Sequence, residues 1–556
     1  MNQRGIFNVS KVRSIFDKVV YDDVYDIIDD EISCSNIGGR RGRNIRDHLF
    51  VLYAIVNDVM NGTAAPIDIQ TIDIHKCFDE MWYSETLNDI YDAKVTDDKF
   101  AILAKLDEKA IVKIKTPCGE TEMFELQKLI IQGGVFSPIK CTVQIDTLGR
   151  DCIKYNEGLY KYKDTINVPP LSLIDDVVAV TNSGTDTILM NAKINMKMES
   201  KKLRLSVDKC KHIHIAKKKT ESLINLKVHN QKMKKSESCS YLGDRLSSDG
   251  TLDLTIEERR QKGVGLVTQI TGMVNQLSFG NFYFKIAFMF RNCMYVNGIL
   301  TNSEIWYNLS KKNQDILQAG DIMLVRKLLK GHSKTAKEAF YLETGLLEIK
   351  YIILKRKFMY LWHLLHTNSK ELIKKVYDTQ KLIPTKGDWV ETVSKERYEL
   401  NITESDEEIA KMSKDRFNTI VTKAIERKAL KTLNDTANDP NRSKSRNLVK
   451  QRYGCEEYFH DKSFHKSEVE LLFAMRTRMI NVKKNFSSIY KDDIGCRLCK
   501  VHVECQEHLL KCHELKKHVE IPEDVKYEDI FKDTEKQLRM VKVYKKLLRK
   551  REVLIS

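Results

Sequence analysis

Three aspartates and one cysteine–histidine cluster are the residues of this sequence best suited to chemistry. Asp73 closes the alternating run PIDIQTIDI (66–74), and Asp175–Asp176 sit between two short apolar runs in LSLIDDVVAV. An ionised carboxylate among apolar neighbours is costly unless it is paired or holds a cation. Carboxylates are the hard oxygen ligands that Mg²⁺ prefers. Two such ions roughly 4 Å apart can stabilise both the attacking and the leaving oxygen of an in-line phosphoryl transfer. Adjacent strand residues point to opposite faces, so a hairpin turn at Asp175–Asp176 is needed for either or both to face one site. Three acids among 77 fit ordinary paired carboxylates as well, so spacing alone leaves both readings open.

The second constellation is CRLCKVHVECQEHLLKC, which places Cys496, Cys499, His508 and Cys512 in a C-x2-C-x8-H-x3-C spacing. Two thiolates two residues apart can grip one side of a tetrahedral Zn²⁺, and a helix through EHLLKC puts His508 and Cys512 on one face. Protein would fill all four positions, which marks a structural rather than a catalytic ion. His502, Cys505 and His513 are competing ligands. The preceding RTRMINVKKNFSSIY is basic and aromatic, a composition suited to gripping RNA or a DNA target.

These residues need a scaffold, and the chain is large enough for several. Its 556 residues exceed one hydrophobic core, and 42% of them are hydrophobic. Lys and Arg number 93, giving a net charge of +16, which favours a polyanionic partner or simply a solvated surface. No run of eighteen apolar residues exists, so no membrane span is expected. The start has no secretory core, so the four of 13 cysteines that cluster between Cys496 and Cys512 suggest a metal site, not a disulfide framework. Apolar spacing predicts helices over 11–33 (Ile15, Val19, Tyr21, Val24, Ile27, Ile28), 46–60 and 405–433. GGRRGRN (38–44) breaks the pattern. AIVKIK, TPCGET and EMFELQKL predict a hairpin, as do residues 169–180. From Leu171 to Ile383 there is no proline, and much of this stretch reads as helices with basic outer faces. Residues 434–447 read as a polar linker.

Read in order, these segments resemble the reverse-transcriptase domain of non-LTR, LINE-type retrotransposons. RGIFNVSKVRSIFDKVVYDDVYDIID is similar to that family's opening fingers segment. SNIGGRRGRNIRDHLFVLYAI resembles its second block, which implies that Arg40, with Arg41 and Arg43 beside it, contacts the incoming triphosphate. DIHKCFDEM resembles the first metal motif, implying Asp73 as a Mg²⁺ ligand and Phe78 as the ring that excludes a 2′-hydroxyl. QGGVFSP resembles the block in which Gln132 and Gly133 approach template and nucleotide. LIDDV stands where the family has an aromatic and a small residue before its Asp pair, so Leu173 and Ile174 depart from the pattern while Asp175 and Asp176 remain. In KKLRLSVDKCKHIHI, Lys209 matches a lysine that can act as general acid on pyrophosphate, although Lys201, Lys202 and Lys211 lie close by. Tyr241-Leu242-Gly243 resembles the primer-grip turn. The cysteine–histidine cluster resembles one found near the C-terminus of many LINE-type proteins.

The resemblance implies an α+β right-hand polymerase. Fingers and palm, with an antiparallel sheet, occupy 1–235, a helical thumb 236–330 and a helical connector 331–480. A CCHC zinc knuckle follows at 481–520, then a tail at 521–556. It implies RNA-templated addition of dNTPs to a primer 3′-hydroxyl with two Mg²⁺ ions and one structural Zn²⁺. The partners would be an RNA template and a DNA primer or target, and the setting an intracellular ribonucleoprotein of nucleus and cytoplasm. No nuclease-like acid constellation appears in the 44 residues after Cys512, so a partial reading frame lacking the endonuclease is expected. Two rivals remain: a catalytically dead RNA-binding relic of the same fold, and a zinc-stapled helical scaffold for protein partners.

Overall fold

The computed structural model describes residues 9–556 except 109–110, 126–127, 129, 132, 183, 219–221, 277–281, 307–308, 441–443 and 492. The chain divides into two compact units. The first contains the residues up to Thr255, together with 305–308 and 360–395; the second contains 256–304, 309–359 and 396–556.

The first unit is built on a sheet of β1 (Ile67–Asp73), β2 (Leu171–Leu173), β3 (Asp176–Thr181), β4 (Lys211–Ile215) and β5 (Lys234–Lys235), in the order β5-β4-β1-β3-β2. β1 is central and antiparallel to both β3 and β4. Its period-2 pattern sorts its side chains between two faces. Ile72, with Val177 and Ala179 of β3, packs against the helices Ser137–Tyr155 and Gly184–Ser200 through Cys141, Ile145, Leu148, Met190 and Ile194. Asp68 and Gln70 also face this layer. Asp68 is bonded to His212 (2.7 Å) and His214 (3.1 Å), and Gln70 to the Thr187 carbonyl (3.0 Å). Thr71 and Asp73 face the other way.

The expected helices form with altered limits. Lys11–Glu31 is helical, but it buries Val20, Tyr21, Val24, Tyr25 and Ile28, leaving Ile15 and Val19 exposed. The expected helix at 405–433 is two helices, Asp406–Ala410 and Lys414–Ala437. Ser405 and Ser413 each cap a new N-terminus, so the chain restarts rather than continues. The second helix consumes the start of the expected polar linker.

The division into units also departs from the expected boundaries, because both the thumb (236–330) and the connector (331–480) are shared between the two. The hairpin Ser238–Tyr241/Asp244–Ser247 belongs to the first unit, where buried Asp244 accepts from Tyr53 and from the Trp306 indole, each at 2.9 Å. Segment 360–395 packs on the helix Ile45–Asn61: Trp389 meets Phe50 edge-on at 5.6 Å, and Tyr360 donates to Asp47 (3.1 Å). Lys163 pairs with buried Asp388 at 2.9 Å.

The second unit is helical and stapled by buried ion pairs. Arg291 grips Asp321 through two bonds of 2.8 and 2.6 Å. Arg476 grips Glu343 at 2.8 and 2.9 Å and reaches Glu456 at 2.8 Å. The expected tail instead ends in a 22-residue helix, Thr534–Ile555, whose Tyr544 is fully buried and donates to the Gln506 carbonyl at 2.7 Å. No described helix is long and apolar enough to cross a membrane.

Candidate active site and metal centre

β2 and β3 form a hairpin joined by Ile174 and Asp175, with Leu173 opposite Asp176. Ile174 adopts φ 54°. A β-branched residue there is strained by about 1–3 kcal/mol, a cost that persists only where surrounding structure imposes the turn. That structure is visible. The Asp175 carbonyl accepts from the Ile74 amide at 3.3 Å, tying the turn to the end of β1. On the other side Ser172 exchanges backbone bonds with Ser35 (3.0 Å) and Ile37 (3.1 Å). A Cβ on Gly38 would lie 2.6 Å from Thr142 Oγ1 and 3.0 Å from the Ile174 amide nitrogen. Only glycine lets this segment close over the turn.

The register pairs Asp73 directly with Asp176. Opposite residues of an antiparallel pair share a face, with Cβ atoms about 5 Å apart. Asp175 sits in the adjoining turn, so all three aspartates gather at one end of the sheet. Burial pushes the Asp176 pKa up to about 6, helped by the charges of Asp175 and Asp73 and opposed by Lys209. The crowding of like charges favours a cation, and the donors are the hard oxygens a divalent ion takes. Lys209 Nζ lies 3.1 Å from both carboxylate oxygens of Asp73. An open cleft of about 310 Å³ is lined by Asp73 and Asp176 together with Thr71, Asp208, Lys209 and Tyr241; Lys211 and Cys239 also border it.

The remaining expected residues are placed as follows. Phe78 is partly buried against the core, and its carbonyl accepts from Ile130 at 2.8 Å. Gly133 has φ 94° in an exposed turn before the helix Ser137–Tyr155, while Gln132 and the opening residues 1–8 lie outside the described residues. Tyr241 is buried. Leu242 and Gly243 follow it as a two-residue hairpin loop with φ 46° and 88°, the pattern of a type I′ turn. The arginines depart from their expected part. Arg40 is buried and committed to Asp29 (2.7 Å) and to the carbonyls of Ser33 (3.1 Å) and Asn36 (3.0 Å), so its guanidinium shapes the Gly38–Gly39 segment. Arg41 pairs with Asp22 and covers the Tyr25 ring at 4.2 Å, and Arg43 pairs with Glu371.

Sequence reasoning missed His48. It is fully buried in the helix Ile45–Asn61, with Nε2 3.0 Å from the Ser35 carbonyl and Nδ1 3.0 Å from the Tyr241 hydroxyl. A carbonyl only accepts, so Nε2 carries the proton and Tyr241 donates to Nδ1. His48 thereby holds Tyr241 in the cleft wall. A lone histidine on a helix carries no sequence signal for this. Burial pushes its pKa down to about 4. An unfolded histidine titrates near 6.5, so on acidification the unfolded state takes the proton first. The stability from neutral His48 is complete above about pH 6.5 and lost toward pH 4, a change of about 3 kcal/mol. Denaturant unfolding should therefore lose stability over that window more steeply in the wild type than in His48→Gln; parallel curves would remove this assignment.

In the second unit the four expected metal ligands meet. One atom from each of Cys496, Cys499, His508 and Cys512 lies within 4.8 Å of the others, and all four residues are buried. Cys496 and Cys512 Sγ are 4.0 Å apart, and Cys499 Sγ is 3.3 Å from His508 Nε2. Burial raises the Cys499 pKa, but backbone bonds from His502 and Val501 outweigh it and hold the thiol below its ordinary range. A soft, buried set of three thiols and one imidazole could hold a metal ion. The competitors have other roles: Cys505 Sγ caps the helix Gln506–Lys511, accepting from the His508 amide (3.3 Å), and His513 pairs with Glu514 (3.0 Å).

The carboxylates at one end of the sheet thus stand beside a cleft bordered by lysines and a buried tyrosine. The family model described as "Reverse transcriptase (RNA-dependent DNA polymerase)" matches residues 7–246, and the chain carries a reverse-transcriptase domain there. Among solved structures, apo telomerase from Candida tropicalis is 11% identical with a TM-score of 0.36, over 69% of this chain and 61% of that one. Telomerase from Candida albicans in complex with a TWJ fragment of telomeric RNA is 13% identical with a TM-score of 0.32, over 69% and 56%. A C-terminally truncated apo telomerase from Candida tropicalis is 12% identical with a TM-score of 0.30, over 43% and 44%. This chain thus spans 44–61% of the length of these structures. Among curated proteins no sequence matches.

Proposed function

We propose that this chain is the RNA-directed DNA polymerase of a non-LTR, LINE-type retrotransposon. The observation that carries the reading is the pairing of Asp73 with Asp176, with Asp175 in the adjoining turn, inside the matched domain. The LINE-type assignment rests on the order of the motifs together with the separate cysteine–histidine cluster. Asp73, Asp175 and Asp176 would hold two Mg²⁺ ions, which supply charge stabilisation for the attack of a primer 3′-hydroxyl on a dNTP. The chain's own residues position the reactants. Tyr241 and the Leu242–Gly243 turn support the primer end. Lys209, now held by Asp73 at 3.1 Å, is free to swing because it is largely exposed, and delivers a proton to the leaving pyrophosphate. Cys496, Cys499, His508 and Cys512 would hold a structural Zn²⁺. An RNA template and a DNA primer or target are the partners, within a ribonucleoprotein of nucleus and cytoplasm.

The test is primer extension by the purified chain on poly(rA)/oligo(dT) with Mg²⁺ and dTTP; absence of incorporation would overturn the reading. Phe78 gives a sharper expectation. Phe78→Val should raise the relative use of ribonucleotides by roughly ten- to two-hundredfold, the scale of a single steric exclusion in an apolar pocket. Unchanged discrimination would remove Phe78 from the sugar site.

A second reading, a nucleic-acid-binding relic, is favoured by Arg40, whose guanidinium is spent on Asp29 and two carbonyls. It predicts template binding without extension in the same assay.

A further inference from the structure

In the second unit, Lys334, Lys444 and Arg326 gather around His332 with no ion-pair partner among the described residues. His332 and Lys334 lie in the turn after the helix Lys311–Leu328. The His332 ring is 4.9 Å from that of Phe486, and Lys334 Nζ is 5.8 Å from the same ring. Lys444 arrives from over a hundred residues away, 5.5 Å from the Phe486 ring, with its ammonium bonded to the Asn485 carbonyl. Arg326, on the last turn of the helix, covers Phe340 at 5.7 Å.

The electrostatics are one-sided. Burial lowers the His332 pKa, and the charges that lower it further are Lys334, Lys444 and Arg326. Burial, then Lys334, lowers that of Lys444. The neighbouring Lys330 and Lys337 pair with Glu470 (3.1 Å) and Glu348 (3.5 Å), whereas no ion pair among the described residues takes up Lys334, Lys444 or Arg326. Two buried polar atoms beside the cluster, Arg326 Nε and Thr335 Oγ1, also lack a hydrogen-bond partner. Packing several cations together costs free energy unless an anion completes the group.

We propose that His332, Lys334, Lys444 and Arg326 form a phosphate-binding site for the backbone of a polynucleotide, separate from the carboxylate cleft. The choice of a polynucleotide over free phosphate rests on the proposed polymerase reading; the cation cluster does not. Phe486 is the platform that spaces the ammonium groups. Its segment is fastened by Lys484, whose amide donates to the Glu504 carbonyl (3.0 Å), and by Asn485, which donates to Gln506 Oε1 (2.7 Å). Glu504 and Gln506 lie in the hairpin and helix of the cysteine–histidine cluster, so the site is braced by the candidate metal centre.

The test is fluorescence anisotropy of the full chain with a labelled single-stranded RNA of mixed sequence across a salt series, without dNTP or Mg²⁺. The double variant Lys334→Ala/Lys444→Ala should bind about tenfold more weakly near physiological salt, with the slope of log affinity against log salt shallower by about 1.4, two phosphate contacts' worth. The exposed pair Lys411→Ala/Lys414→Ala, outside the proposed set, should change the slope by less than half as much. Equal affinity and slope in wild type and cluster variant would overturn the proposal. So would protection of the wild type, but not the variant, against thermal unfolding by inorganic phosphate with no change in the RNA slope, which identifies a free-anion site. Primer extension on the same preparation separates the two readings. A changed slope in a chain that never extends a primer supports this site and removes the polymerase.

Discussion

Replacing Asp73 by asparagine is expected to lower templated dNTP incorporation by about a thousandfold while leaving the protein folded. The loss corresponds to about 4 kcal/mol of transition-state stabilisation, the scale of charge neutralisation by a bound divalent ion. Asp73 ends β1, faces the cleft and is touched by an exposed lysine, so asparagine fits without a cavity. The same loss is expected of Asp176→Asn, with a further consequence. Burial and two neighbouring carboxylates push the Asp176 pKa up to about 6. The folded state therefore holds this carboxylate's charge at a disadvantage at neutral pH, and a neutral isostere should raise the melting temperature as it removes activity. Such a trade of stability for function is common where like charges must be gathered. Single-turnover extension and thermal unfolding of both variants decide the matter. Wild-type extension by Asp73→Asn would end the assigned role, and a fall in melting temperature for Asp176→Asn would contradict the electrostatic account.

The second large effect lies in the cysteine–histidine cluster. Cys499→Ser is expected to abolish stoichiometric zinc in the purified protein and to lower the melting temperature of the second unit by about 10 °C or more. Ion binding to a four-ligand structural site is folding free energy, because the site does not exist in the unfolded chain. For a unit of this size, each kcal/mol is worth about 2–4 °C, so a loss of several kcal/mol suffices. The four residues are buried and carry little packing volume. A bound ion would tie the Cys496–Val503 hairpin to the helix Gln506–Lys511 through all four ligands. The effect should spread to the closing helix Thr534–Ile555, because Tyr544 bonds to the Gln506 carbonyl and Arg551 pairs with buried Glu504. Cys505→Ser is the matched control: its sulfur caps a helix and should leave the zinc content unchanged. Unchanged zinc after Cys499→Ser would rule out the ligand set.

Sequence alone determined the parts of this protein whose information is local. The alternation in PIDIQTIDI, the apolar runs around Asp175–Asp176 and the cysteine spacing each specify a strand, a hairpin and a metal-sized cluster from neighbours within a few residues. The cysteine–histidine atoms do come together, and Asp73 does face Asp176, because period-2 geometry leaves few alternatives once the strands pair. Tertiary structure decided what local pattern cannot carry. Arg40 has the same chemistry in any basic turn, and only the approach of Asp29 and two carbonyls turned it from a free cation into an internal clamp. His48 has no motif, and its part appears only when Ser35 and Tyr241 meet it from either side. Segment 360–395 joined the first unit through Trp389, Tyr360 and Asp388, whose partners lie more than two hundred residues earlier. Contacts of that range leave no periodicity in the chain. They arise because burial of apolar surface is indifferent to sequence distance, while each buried charge must find its partner wherever the fold places it.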